Sequence, residues 1–159
     1  MWTRTLRRSE IVGAHRRVPR GSRVALDSNA LIYFIEEHPQ LGPVVDPVFQ
    51  MIADGECEAV VSVVSVVEVL VAPLRAGQAA LVEQYRELLA DTRGVTLIPV
   101  TTVVAEQAAS IRAAQNLRLP DALIAATAVN ERCTHLIAND AKFTRVAGLR
   151  KLVVSDYIS

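Results

Sequence analysis

Aromatic residues are scarce in this chain: three Phe, three Tyr and one Trp make up 4% of it. That leaves no row of ring faces on which successive bases of a single strand would stack, and it assigns the core to Val, Leu, Ile and Ala. Cysteine is equally sparse. Cys57 and Cys133 stand far apart with no CxxC pair, which excludes a disulfide scaffold and a thiolate zinc site. The three histidines, His15, His38 and His135, are isolated from one another. No apolar run is long enough to span a bilayer; the longest, 59–72, is broken by Ser62, Ser65 and Glu68. The opening MWTRTLRRSEIVGAHRR lacks a continuous apolar segment of the secretory kind. These absences predict a soluble, cytoplasmic chain with reduced, buried thiols and no membrane partner.

What is present is ample core material. Hydrophobic residues are 51% of the 159 and charged residues 21%, the balance of a single folded domain rather than a disordered one. The net charge of zero hides an asymmetry. Residues 1–23 hold seven Arg and one Glu, whereas 24–159 hold ten basic and sixteen acidic residues. We therefore expect a flexible basic extension over 1–22, either a solvated tail or an arm for phosphates, and one domain over 23–159.

Apolar periodicity and breakers predict alternating elements. Strands are expected at 24–26, 59–62, 95–100, 135–138 and 152–154. Helices are expected at 30–37, 44–53, 64–72, 78–91, from Thr101 or Thr102 to about Asn116, and at 119–131, with Pro73 and Gly77 ending the third. The alternation implies a three-layer α/β/α sandwich around a mostly parallel sheet.

Four acidic residues stand out against this frame: Asp27 in VALDSNALI, Glu68 in SVVSVVEVLV, Asp121 in LPDALIAATAV and Asp140 in HLIANDAKF. Each has an ordinary role open to it when read alone. Asp27 can cap a helix, Asp121 can meet its helix dipole, and Asp140 can shape a turn. Glu68 is harder to accommodate, because Val64, Val71 and Ala72 share its helix face and only Ser65 is polar. Read together, they converge. Asp27 and Asp140 each follow a strand, and ligands of parallel sheets bind beyond the strands' carboxyl ends. Glu68 lies a turn or two into the helix after the second strand. Asp121 leads a stripe of Ile124, Ala125 and Ala128, which points it inward. Carboxylates gathered beside apolar surface repel one another unless a cation compensates them.

These segments resemble the PIN-domain ribonucleases, in particular the VapC-type toxins of toxin–antitoxin pairs. The likeness runs over 24–155, through VALDSNALIYF, SVVSVVEVL and the long block LRLPDALIAATAVNERCTHLIANDAKFTRVAGL. It implies a PIN-like fold with Asp27, Glu68, Asp121 and Asp140 as catalytic, metal-binding acids. Ser28, Asn29, Ser65 and Asn139 become supporting polar residues. The implied cofactor is Mg²⁺ or Mn²⁺, the substrate RNA, and the partners a cognate antitoxin and a second copy in a homodimer. Two positions depart from the family's pattern: Ala138 stands where a hydroxyl is frequent, and Lys142 where a further acid is frequent.

The chemistry agrees with the resemblance. A hard ion on carboxylates neutralises a phosphodiester and acidifies a bound water, and Glu68 is either a further ligand or the proton acceptor. Arg112, Arg118, Lys142 and Arg145 flank the acidic blocks as candidates for steering phosphates. The alternatives are a haloacid-dehalogenase-like phosphatase, disfavoured by Asn29 where a second Asp is needed, and a receiver-like phosphoacceptor, which leaves Glu68 unexplained. A third is a PIN-like module that binds RNA or protein without cutting.

Overall fold

The computed structural model describes residues 14–139, 146 and 148–158. Among these, five strands form one sheet in the order β3-β2-β1-β4-β5, with every pairing parallel. They are β1 (Arg23–Leu26), β2 (Glu58–Ser62), β3 (Val95–Ile98), β4 (His135–Ala138) and β5 (Arg150–Val153). Six helices connect or flank them: α1 (Ser28–Ile35), α2 (Gly42–Ala53), α3 (Val63–Arg75), α4 (Ala79–Asp91), α5 (Thr102–Gln115) and α6 (Leu119–Asn130).

The strand order determines the layering. The chain moves outward from β1 to β2 to β3, then returns across the sheet to place β4 on the other side of β1. Crossovers between parallel strands are right-handed, so reversing direction moves the connecting helices to the opposite face. The two halves of the core follow this rule. Val24, Leu26, Ala59, Val61, Ile137 and Leu152 pack with residues of α1 to α4, while Ala25, Val60, Leu136 and Ala138 pack with α5 and α6. Strand alternation thus divides one sheet between two cores. The reversal leaves a crevice at the carboxyl ends of β1 and β4, the place where open α/β sheets take their ligands.

The expected elements are all present, with shifted ends. α1 begins at Ser28 and is capped by Asp27. α2 begins at Gly42, because Pro43 occupies the first turn, where its missing N–H costs nothing. α3 does not stop at Pro73 but runs to Arg75. Pro73 lies in the final turn, and the Gly77 and Gln78 N–H groups close that turn onto the Leu74 and Pro73 carbonyls, with Gly77 at φ +65°. β3 ends at Ile98, before Pro99. β5 begins two residues earlier than its apolar run suggests, since Arg150 and Lys151 pair with His135 and Leu136 through backbone alone. Thr101 caps α5 as expected, accepting from the Val104 N–H, and Asn116 ends that helix in the left-handed conformation.

Part of the expected basic extension lies against the body. Val18 is buried, the Gly21 N–H donates to the Glu56 carbonyl, Arg20 pairs with Glu56, and Arg17 lies over the Tyr157 ring. Residues 1–13 fall outside the described residues. Cys57 and Cys133 are buried free thiols, pushed up to about 11 and about 12 by desolvation, and are inert packing groups.

Gly94 enters β3 at φ +85°, and a Cβ there would meet the Ile52 carbonyl oxygen and Cγ2 at 3.1 Å. Gly94→Ala combines a disfavoured backbone with a tight contact to α2, and is expected to cost at least about 1 kcal/mol. Urea unfolding checks this through a lowered midpoint at unchanged slope.

Candidate active site

Asp27 leaves β1 with its N–H bonded to the Ile137 carbonyl of β4, which fixes it at the crevice. Its Oδ1 accepts from the Ser28 N–H at 2.6 Å and the Ser28 hydroxyl at 3.1 Å. Asp27 is therefore a helix cap, yet it also lines a cavity of about 220 Å³ with Ser28, Asn29, Ile32, Glu68, Arg118 and Asp121. Three of the four expected acids thus share one pocket, each from a different segment: Asp27 from the β1–α1 junction, Glu68 from α3 and Asp121 from the first turn of α6.

The electrostatics follow from burial. Asp27 is 4% exposed. Desolvation pushes its carboxyl up to about 6 against the opposing Ser28 hydrogen bonds, and Glu68 and Asp121 add like-charge repulsion. Glu68 is raised for the same first reason. The Ser28 hydroxyl counters this, Asp121 reinforces it, and Arg118 counters it again. Oε1 of Glu68 is buried with no hydrogen-bond partner among the described residues. An unpaired buried carboxylate oxygen is costly, and among the described residues no positive group meets it.

Asp121 is held by Arg118, whose Nε donates to Oδ2 at 3.1 Å. The turn before it is well fixed. Arg112 Nε donates to the Leu117 carbonyl at 3.0 Å, Leu117 is buried, and Pro120 occupies the first turn of α6. Arg112 is therefore a structural clamp in this structure, whereas Arg118 belongs to the pocket. Arg118 stands three residues before Asp121 at a helix start, an i,i+3 spacing that is legible in the sequence. Ile32, one turn beyond Ser28, supplies the pocket's apolar wall and carried no signal of its own.

The supporting residues divide. Ser28 and Asn29 line the cavity. Ser65 is fully buried, its hydroxyl has no hydrogen-bond partner among the described residues, and it does not line the cavity. Asn139 joins three elements: its side-chain N–H donates to Tyr33 Oη of α1, and its carbonyl oxygen accepts from the Ser155 N–H after β5, both at 2.9 Å. Asp140, Lys142 and Arg145 lie outside the described residues. His135 is buried at the start of β4, with Nδ1 at 2.9 Å from the Thr134 hydroxyl, and desolvation lowers its pKa, so it is a neutral core histidine.

Among the described residues, no three Asp, Glu, His or Cys side chains form a ready-made ion cage. The donor chemistry nonetheless fits a hard divalent cation. Among the described lining residues the possible ligand atoms are carboxylate, hydroxyl and amide oxygens with no thiolate or imidazole, two of the acids are raised by burial and crowding, and one carboxylate oxygen has no partner among them. Mg²⁺ retains several waters and needs only a few protein oxygens.

A parallel α/β sandwich with an acidic pocket at its switch point is the class of protein that this fold and site define. The chain belongs to the PIN domain family, whose sequence profile matches residues 24–149. Solved structures agree on the fold. VapBC2 from Rickettsia felis bound to a promoter DNA fragment is similar with a TM-score of 0.67 at 16% identity, over 82% of this chain and 98% of that one. A toxin–antitoxin complex from Klebsiella pneumoniae gives 0.60 at 24% identity, over 79% and 94%. VapBC-5 from Mycobacterium tuberculosis, described as a member of the VapBC family of toxin–antitoxin systems, gives 0.56 at 22%, over 83% and 98%. No curated protein matches the sequence. No helix among the described residues is long and apolar enough to cross a membrane.

The raised Asp27 carboxyl has a consequence for stability. Its folded value of about 6 exceeds the ordinary 3.8, so the folded state holds this proton more tightly than the unfolded one. The stabilisation is complete below about 4 and is lost as pH rises through about 6. The shift corresponds to roughly 3 kcal/mol. Asp27→Asn keeps the capping oxygen and removes the charge. Without divalent ions it is expected to be more stable than wild type at pH 7.5, with the gap closing towards pH 4. Thermal unfolding across that range checks it, and equal stabilities at pH 7.5 would contradict it.

Proposed function

We propose that this PIN domain is a metal-dependent endoribonuclease that hydrolyses RNA phosphodiester bonds in the cytoplasm and acts as the toxin of a toxin–antitoxin pair. The observation that carries the reading is the cavity at the sheet's switch point, where Asp27, Glu68 and Asp121 meet and Oε1 of Glu68 has no partner among the described residues. Asp27 and Asp121, with Asp140 following β4 in sequence, are assigned to Mg²⁺ or Mn²⁺. A bound ion supplies charge neutralisation for the phosphodiester and a more acidic water. The protein's own groups do the rest. Ser28 orients Asp27 through two hydrogen bonds to Oδ1. Glu68, with its raised proton affinity and unpaired oxygen, is suited to take the proton of the attacking water. Asn139 ties the end of β4 to α1 and to the segment after β5, which steadies the backbone leading to Asp140.

Purified protein incubated with single-stranded and hairpin RNAs tests the activity. Cleavage is expected with Mg²⁺ or Mn²⁺ and none with EDTA, and Asp121→Asn is expected to lower it at least about 100-fold, the scale of losing a preorganised charge at a reacting centre. A protein that binds these RNAs equally with and without metal, and never cuts them, would instead be a non-catalytic binding module.

The toxin role rests on partners. Similar structures are toxin–antitoxin complexes, and this chain exposes an apolar stripe. Val67, Val71 and Leu74 recur at i, i+4 and i+7 along α3 and are 63%, 37% and 58% exposed. We assign that stripe to contact between two copies, with the antitoxin as the further partner. Light scattering of the purified chain is expected to give twice the 17.3 kDa monomer mass, and Val67→Glu to shift it to the monomer. A monomeric wild type at micromolar concentration would remove the dimer from the proposal.

A further inference from the structure

Asp121 already has a cation. The Arg118 guanidinium lines the same cavity as the three acids, and its Nε lies 3.1 Å from Asp121 Oδ2. The pair is lopsided: the Asp121 side chain is 7% exposed and that of Arg118 is 64% exposed. The carboxylate is fixed in the wall, while the guanidinium reaches over it from the solvent side. Arg118 itself sits in extended backbone just before α6, on a turn anchored by Arg112 and by buried Leu117. Its backbone is therefore fixed at the rim, while its side chain faces solvent.

We infer that Arg118 is the resident counter-ion of the metal-free site, occupying Asp121 until a divalent cation displaces it. Among the described residues that line the pocket, three carboxylates face one guanidinium, and Oε1 of Glu68 has no hydrogen-bond partner among them. A divalent ion that takes Asp121 through Oδ2 displaces the Arg118 N–H from that oxygen, and one that takes Oδ1 meets the guanidinium's charge across the same carboxylate, so the two cations compete. The pair holds the metal-free site together at the expense of metal affinity, which sets the concentration of divalent ion at which the pocket fills. The inference rests on the metal-site reading proposed above and deepens it by naming the residue that tunes occupancy.

Isothermal calorimetry with Mn²⁺ on metal-stripped protein tests this without reference to activity. Wild type, Arg118→Ala and Arg118→Lys are compared, with circular dichroism to show that each is folded. Arg118→Ala is expected to bind Mn²⁺ about 5-fold or more tightly than wild type, the size expected from removing one charge beside a partly desolvated ion, and Arg118→Lys to lie near wild type. Binding by Arg118→Ala alone, with wild type silent, would support the inference more strongly. Binding by wild type with Arg118→Ala unchanged or weaker would overturn it and leave the metal site standing. Silence from all three folded proteins would overturn both.

Discussion

Repulsion among carboxylates that the fold holds in one partly dry pocket is the constraint on which the rest of this structure depends. A single buried acid is tolerable if it is capped, as Asp27 is by Ser28. Three in one cavity are not: burial raises the proton affinities of Asp27 and Glu68, and the like charges of their neighbours raise them further. The scaffold bears the strain because each acid belongs to a segment held by something else. Asp27 is fixed by a β1–β4 backbone bond, and Glu68 by a helix whose Val69 is in the core. Asp121 is fixed by a helix anchored along its length.

That last anchoring explains a feature of composition. α6 buries Ala122, Ala125, Ala126 and Ala128 completely. Small side chains let a helix approach a sheet closely, and here the helix covers β1, β2 and β4 across the crevice. Close approach brings the first turn of α6, and with it Asp121, to the carboxyl edge of β1. The scarcity of aromatic residues serves the same end on this face, since Ala25, Val60, Leu136 and Ala138 offer a low, even surface. On the other face the larger residues collect, including the stacked Phe34 and Phe49 that join α1 to α2.

Much of this was legible because chemistry and periodicity pointed the same way. Asp27 and the apolar run before it define a strand end, and Pro120 followed by an inward stripe defines how α6 presents Asp121. The sequence misled where backbone pairing, rather than side-chain pattern, decides an element. β5 begins at Arg150 because its amides pair with β4, and nothing in Arg150 or Lys151 advertises that. Pro73 misled because a proline in a last turn forfeits a single bond, which does not outweigh the closure that Gly77 provides. Ser65 looked like a partner of Glu68 by spacing, but its hydroxyl is buried away from the cavity.

Arg118 shows why a site of this kind resists reading one residue at a time. An arginine at a helix start with a carboxylate three residues on is an ordinary surface pair, and such pairs contribute little to stability. What changes its meaning is the company of Asp121. Once Glu68 and Asp27 line the same cavity, the guanidinium is the positive group that, among the described residues, lines it with acids that together exceed it in charge. On the proposed reading, a pocket built from repelling acids must survive synthesis and folding before any ion arrives. A weak, solvent-facing, tethered cation suits that interval, because it lowers the repulsion without sealing the pocket. A buried partner would stabilise the empty site more, but would be harder for a hydrated ion to displace. The exposure of Arg118 and the burial of Asp121 are therefore two halves of one compromise, between a domain that must fold while empty and a pocket that must remain open to fill.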